Sequence, residues 1–179
     1  MKFIILDRDG VINYDSDYYI KSPDEWIPIP GSLEAIAELN RAGYRVIVAT
    51  NQSGVARGHY DLATLQKIHE KFLALLADVG GKIEEIFFCP HHPDEKCHCR
   101  KPQPGLFQQI QTKYAVNLAD TYFVGDSYTD ILVAQAAGCK PVLVMTGNGK
   151  KTLEKLSDVS GILQFADLAA VAANVIKES

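Results

Sequence analysis

The chain has 179 residues, 47% of them apolar and 22% charged, which is the size and composition of one globular unit with a sizeable core. Its formal charge of -4, with Lys and Arg scattered, lacks the basic footprint of a nucleic-acid binder. No apolar run approaches the ~20 residues of a membrane span, and the chain enters a strand at once, without room for a secretion signal. The expectation is a single cytoplasmic domain over residues 1–179, with no nucleic-acid or membrane partner.

Phe3-Ile4-Ile5-Leu6 reads as a short buried strand that breaks into Asp7-Arg8-Asp9-Gly10. Side chains alternate along extended chain, so Asp7 and Asp9 share a face. Two carboxylates so close cannot both ionise cheaply; one meets a cation or one holds a proton. That asymmetry suits a nucleophile beside a general acid. An isolated Asp-x-Asp is more often a solvated loop, and what tips the balance here is that later segments answer it. Residues 12–30 carry three prolines and read as a loop, with a short edge strand around Trp26–Ile29, too small for a cap domain. Asp15-Ser16-Asp17-Tyr18-Tyr19 within it fits either a surface loop or a face toward a hydroxylated substrate.

Ser32 to Ala42 reads as a helix capped by Ser32 and ended by Gly43. A second strand, Tyr44 to Ala49, runs into Thr50-Asn51-Gln52-Ser53-Gly54, small donors of a phosphate-binding kind that also fill ordinary turns. Asp61 to Val79 is the clearest helix; His69 lies off its apolar stripe and reads as solvated. Ile86-Phe87-Phe88 is a third strand, and a helix spans Pro104 to Tyr114. Thr121 to Val124 is a fourth strand running into Gly125-Asp126-Ser127-Tyr128-Thr129-Asp130, and a short helix then ends at Gly138. Pro141 to Met145 is a fifth strand, Ile162-Leu163 a minor sixth, and Asp167 to Lys177 a closing helix. Alternating strands and helices predict an α/β fold, a three-layer Rossmann-like parallel sheet, with ligands at the carboxyl ends of its strands.

Asp7, Asp9, Asp126 and Asp130 all follow apolar strands. Converging there, they would repel one another without a cation, and hard oxygen ligands favour Mg²⁺. With Thr50, Asn51 and the Lys101 charge, they suit phosphoryl transfer. Cys89, Cys97 and Cys99 cluster with histidines, which in such a chain reads as a metal site. Three thiolates and one imidazole make a closed, structural Zn²⁺ site. His91 is favoured by its Cys-x-His spacing, with His92 and His98 as competitors. Arg100 and Lys101 follow directly, so the zinc-stabilised loop is expected to present both cations. Cys139 reads as a core thiol.

Asp7-Arg8-Asp9-Gly10-Val11, Thr50-Asn51, Arg100-Lys101-Pro102 and Gly125 to Asp130 resemble, in order, the four motifs of the haloacid dehalogenase superfamily. The resemblance spans the chain and implies that fold, without a large cap domain. It implies that Asp7 attacks phosphorus and that Asp9 protonates the leaving alcohol and then activates water. Thr50 binds the phosphoryl group and Lys101 neutralises it. Asp7, Asp126 and the Asp9 backbone carbonyl hold Mg²⁺, with Asp130 behind them. Val11 stands where the superfamily often has threonine. The cysteine loop and the run Thr50 to Gly58 are similar to those of the D,D-heptose 1,7-bisphosphate phosphatases, capless members close to the histidinol-phosphate phosphatases. By that resemblance the partner is a small phosphorylated sugar on the route to nucleotide-activated heptose for lipopolysaccharide or other surface glycans. Arg100 contacts the retained phosphate, and Asp15, Asp17, Tyr18, Asn51, Gln52 and Ser53 line the substrate. The missing cap points to a monomer. Histidinol phosphate remains the alternative substrate, and a non-catalytic zinc-stabilised binding module the alternative class.

Overall fold

Each apolar run of four or five residues becomes a strand, and each 3.6-period stripe becomes a helix laid across the sheet. The computed structural model describes residues 2–178. Its strands are β1 (Lys2–Leu6), β2 (Tyr44–Asn51), β3 (Glu85–Cys89), β4 (Tyr122–Gly125), β5 (Lys140–Val144) and β6 (Leu163–Phe165). They form one sheet in the order β3-β2-β1-β4-β5-β6, and every neighbouring pair is parallel. Because β2 and β4 flank β1 on opposite sides, the chain changes direction around β1, and a crevice opens beyond its carboxyl end.

Six helices complete the layers: α1 (Ser32–Arg41), α2 (Leu62–Asp78), α3 (Gly105–Tyr114), α4 (Tyr128–Ala137), α5 (Gly149–Lys155) and α6 (Leu168–Lys177). Alternation along β1 divides the core. Ile4 and Leu6 pack with residues of α1, α2 and α6 on one face, while Phe3 and Ile5 pack with α3 and α4 on the other. Phe107 meets Phe123 edge-on at 4.9 Å, and Trp26 stacks on Phe72 at 5.0 Å. Cys139 is buried in the second cluster, as expected of a core thiol. Among the described residues no helix is long and apolar enough to cross a membrane.

Several local expectations change. Ser32 does not cap α1; Gly31 takes the cap position at φ 83°, and the Ser32 hydroxyl donates to Ile12 O at 2.6 Å, pinning the preceding loop. The edge strand around Trp26 is reduced to a single bridge, Asn13 to Pro28, because the fully buried Trp26 turns inward. Helix α5 was not foreseen, and β6 lies one residue later than its apolar pair suggested. His69 is not solvated: its ring sits 6.0 Å from that of Phe88 and its Nε2 lies 3.1 Å from Arg8 Nη1.

Candidate active site

Register brings the motifs together. Leu6, the last residue of β1, pairs with Val48 of β2 and Val124 of β4, so Asp7, Thr50 and Asp126 emerge side by side. The Asp7 amide continues the ladder by donating to Val124 O at 2.9 Å. Carboxylate oxygens of Asp7, Asp126 and Asp130 lie within 4.8 Å of one another, all three residues buried. Backbone closes on them too: a Cβ at Gly10 or Gly147 would collide with the Asp126 carboxylate.

One lysine compensates this charge. Lys101 Nζ lies 2.9 Å from Asp7 Oδ2 and 2.7 Å from Asp130 Oδ1, and donates to Ala49 O at 3.0 Å. Burial disfavours its ammonium, but Asp130 and Asp7 outweigh that and raise its pKa. Burial, then Asp130, holds the Asp7 carboxyl well above the usual range against the pull of Lys101. Asp126 is pushed up to about 7, by burial first and Asp130 second. Both Asp130 oxygens are engaged within the protein. One oxygen holds Lys101 and the other accepts from the amides of Asp126 and Ser127 at 3.2 and 3.1 Å. Asp7, Asp126 and Asp130 together concentrate a negative charge that fits Mg²⁺.

Asp9 faces another way. Burial acts to raise its pKa, but the Arg8 charge and hydrogen bonds from Asn13, Arg8 and Gln52 win and lower it. Its partner cation is Arg8, between the two aspartates, which sequence reading passed over. Asn51 clips the backbone of Lys101, donating to its carbonyl at 3.1 Å and accepting from its amide at 3.0 Å. Thr50 is buried and accepts from Gln52 Nε2 at 3.0 Å.

Two cavities meet here. One, about 150 Å³, is bounded by Asp7, Asp9, Thr50, Lys101 and Asp126. The other, about 140 Å³, is bounded by Asp9, Asp15, Gln52, Ser53 and Arg100. Arg100, which lines this cavity, has a buried Nη1 without a hydrogen-bond partner, a strong donor available to an anion. Tyr18 stands 81% exposed and Asp17 is exposed, neither of them lining either of these two cavities. Tyr19 lines the second cavity instead, its ring 4.7 Å from that of His59. Tyr19 takes a left-handed conformation, φ 67°, beside the exposed Tyr18 that the family resemblance implied. Sequence reading also missed Tyr60 and Asn148. Asn148, in the turn that follows β5, donates to Asp126 and Asp15.

The cysteine loop converges as the spacing required. Cys89 Sγ lies 3.5 Å from both His91 Nδ1 and Cys97 Sγ, while Cys99 Sγ lies 3.2 Å from His91 Nδ1 and 3.6 Å from Cys97 Sγ. These are edges of a tetrahedron around a small ion with metal–sulfur bonds of about 2.3 Å, and far from the roughly 2 Å of a disulfide. All four cysteines are free thiols. Of the competing histidines, His92 accepts from the Asp94 amide and caps a 3-10 turn.

A parallel sheet carrying an Asp-x-Asp loop, a buried lysine and two further aspartates at its switch point defines a hydrolase of the haloacid dehalogenase superfamily. Comparison with known proteins agrees: a family model described as HAD-hydrolase-like matches residues 98–171. The D-glycero-β-D-manno-heptose-1,7-bisphosphate 7-phosphatase of Pseudomonas putida is 55% identical over 98% of this chain and 100% of its own. The crystal structure of D,D-heptose 1,7-bisphosphate phosphatase from Bordetella bronchiseptica, complexed with magnesium and phosphate, is 54% identical. It superposes with a TM-score of 0.98 over 100% of both chains. The corresponding enzyme from Burkholderia thailandensis is 43% identical, with a TM-score of 0.78 over 98% of this chain and 99% of its own. The chain belongs to the family of D-glycero-β-D-manno-heptose-1,7-bisphosphate 7-phosphatases.

Proposed function

We propose that the protein is a phosphoric monoester hydrolase that removes the 7-phosphate of D-glycero-β-D-manno-heptose 1,7-bisphosphate through an aspartyl-phosphate on Asp7. The observation that carries this reading is Arg100, whose Nη1 has no hydrogen-bond partner, lining the cavity beside that of the Asp7 carboxylate. A substrate with phosphates at both ends satisfies both places. Histidinol phosphate would bring a cation to Arg100. Asp7 is oriented by Lys101 for attack. Thr50 and Lys101 donate to the phosphoryl oxygens, and Asp9, on the wall shared by both cavities, serves the leaving oxygen and then water. Asp15, Asn51, Gln52 and Ser53 line the substrate space. Mg²⁺, held by Asp7, Asp126 and the Asp9 carbonyl, would neutralise charge on the transferring group. Zn²⁺ on Cys89, His91, Cys97 and Cys99 would be structural. The heptose 1-phosphate product keeps the anomeric phosphate that a nucleotidyl transfer needs. Phosphorus NMR on the bisphosphate tests the assignment: the C7 signal is lost first. Loss of the C1 phosphate, or faster turnover of histidinol phosphate, refutes it.

Below pH 7 a proton occupies Asp126, and Mg²⁺ has to displace it. The apparent Mg²⁺ dissociation constant is expected to rise as pH falls, about tenfold per pH unit for each proton displaced, with the raised Asp7 acting in the same direction as Asp126. Calorimetry across pH 5.5–8.5, spanning roughly the range of that shifted group, reads this directly, and a constant affinity would contradict it.

The zinc loop is expected to present both cations, Arg100 more than Lys101. Lys101 is held by Asn51, Ala49 and Asp130 as well. Cys97→Ser is therefore expected to raise KM for the bisphosphate about tenfold, the worth of one charge-assisted contact. Its kcat should change far less. An equal fall in kcat with unchanged KM would show that Lys101 too hangs on the metal.

A further inference from the structure

Asp9 stands where the two cavities meet, as a group serving an oxygen shared by phosphorus and sugar has to. What holds it there is Arg8, which is 0% exposed and lines neither cavity. Arg8 Nε and Nη2 donate to Asp9 Oδ1 at 3.0 and 2.9 Å, and Nη2 also reaches Oδ2 at 3.1 Å. The guanidinium is clamped in turn. Nη2 donates to Gln52 Oε1 at 3.1 Å, and Nη1 lies 3.1 Å from His69 Nε2. An arginine has no acceptor, so that ring nitrogen accepts; burial and then the Arg8 charge keep the ring neutral, with a pKa of about 3. The Tyr60 hydroxyl donates to Gln52 Oε1 at 2.7 Å, and Gln52 Nε2 returns to Asp9 Oδ2 at 2.9 Å. Mere neutralisation of Asp9 needs one contact, whereas this closed ring of side chains fixes the plane of its carboxylate.

We propose that Arg8, clamped between Gln52 and His69, is the positioning residue that sets the Asp9 carboxylate on the boundary between the phosphoryl and sugar cavities. This rests on the reading of Asp9 as acid and base. In the first half-reaction the protonated form of Asp9, a minority because Arg8 favours the carboxylate, gives its proton to the sugar oxygen as the sugar oxygen–phosphorus bond breaks and the Asp7 oxygen–phosphorus bond forms. In the second, Asp9 takes a proton from the water whose oxygen bonds to phosphorus as the Asp7–phosphorus bond breaks. A nitrophenolate leaves without a proton, so an aryl phosphate bypasses the first transfer but not the second.

Arg8→Met and His69→Phe, each in metal-loaded enzyme, test this by rapid-quench turnover of heptose bisphosphate and p-nitrophenyl phosphate. Arg8→Met is expected to slow the first step on the bisphosphate about 100-fold, the lower end of what a positioned acid supplies. The nitrophenolate burst should be nearly unchanged, and aspartyl-phosphate should accumulate behind it. His69→Phe keeps a ring beside Phe88 and should show the same contrast more weakly; it carries the comparison if Arg8→Met does not fold. Equal losses on both substrates, or no loss on the bisphosphate, overturn the role of Arg8. A wild type that ignores the bisphosphate but hydrolyses another alkyl phosphate overturns the substrate reading alone, and that ester then decides Arg8.

Discussion

Asp7→Asn is expected to lower turnover by about 10⁴-fold or more, the scale of losing a covalent nucleophile, while the metal-free protein melts no lower than wild type. An amide cannot form the acyl phosphate, and neither Asp9 nor Asp126 can replace it: Asp9 is held by Arg8, and Asp126 is enclosed by Gly10 and Gly147. The fold survives because the substitution is isosteric and removes one of three buried carboxylates that repel one another. Lys101 keeps Asp130 and Ala49 O as partners. The pH dependence follows the same sign. A carboxyl whose folded pKa is raised contributes stability while protonated, and that contribution is lost as pH climbs through the folded value. Metal-free wild type should therefore lose stability from the ordinary carboxylate range up to about 7, where Asp126 titrates, and Asp7→Asn should flatten the curve by removing Asp7's share. Turnover within tenfold of wild type would end the covalent route.

Lys101→Met carries the largest expected loss of stability. It strands Asp130, which is 0% exposed, and deprives Asp7 of its nearest cation. Removing one partner of a buried pair costs about 3–5 kcal/mol, which for a chain of this size lowers Tm by about 6–20 °C. Activity should fall about 10²–10³-fold, as when one donor to developing charge is lost. Adding Asp130→Asn to Lys101→Met separates the two effects. The double variant should regain most of the stability, because the stranded charge is gone, and none of the turnover. Recovery of turnover would place the role of Lys101 in the fold rather than the chemistry. Differential scanning calorimetry and a phosphate-release assay suffice for both readouts.

Residues whose role follows from their place on a strand or in a short spacing were legible in advance. Asp7 and Asp126 come one or two residues after buried runs, and a parallel sheet puts such positions together whatever the loops do. Cys89, His91, Cys97 and Cys99 announce themselves because metal ligands need matched pairs a residue or two apart. Tyr18 came from the family resemblance alone, and which of Tyr18 and Tyr19 faces the cavity depends on a loop conformation that no periodicity specifies. His69 looked solvated because the α2 stripe points at the main core, yet the helix edge packs over Arg8.

By itself, then, the chain's sequence determined the parallel α/β sheet, the order of its strands' functional ends, and both sets of candidate metal ligands. All of these depend on periodicity and spacing within a few residues. Only the tertiary structure decided that Asp9 is gripped by its own neighbour Arg8, that Asp130 serves Lys101, and that Arg100 is left with a donor unspent. Those outcomes turn on which buried charges find partners along the chain: Asp130 reaches back to Lys101, and Arg8 is clamped by Gln52 and His69, 44 and 61 residues away. Desolvation makes each unpaired charge costly enough to select one arrangement, and no local pattern encodes it.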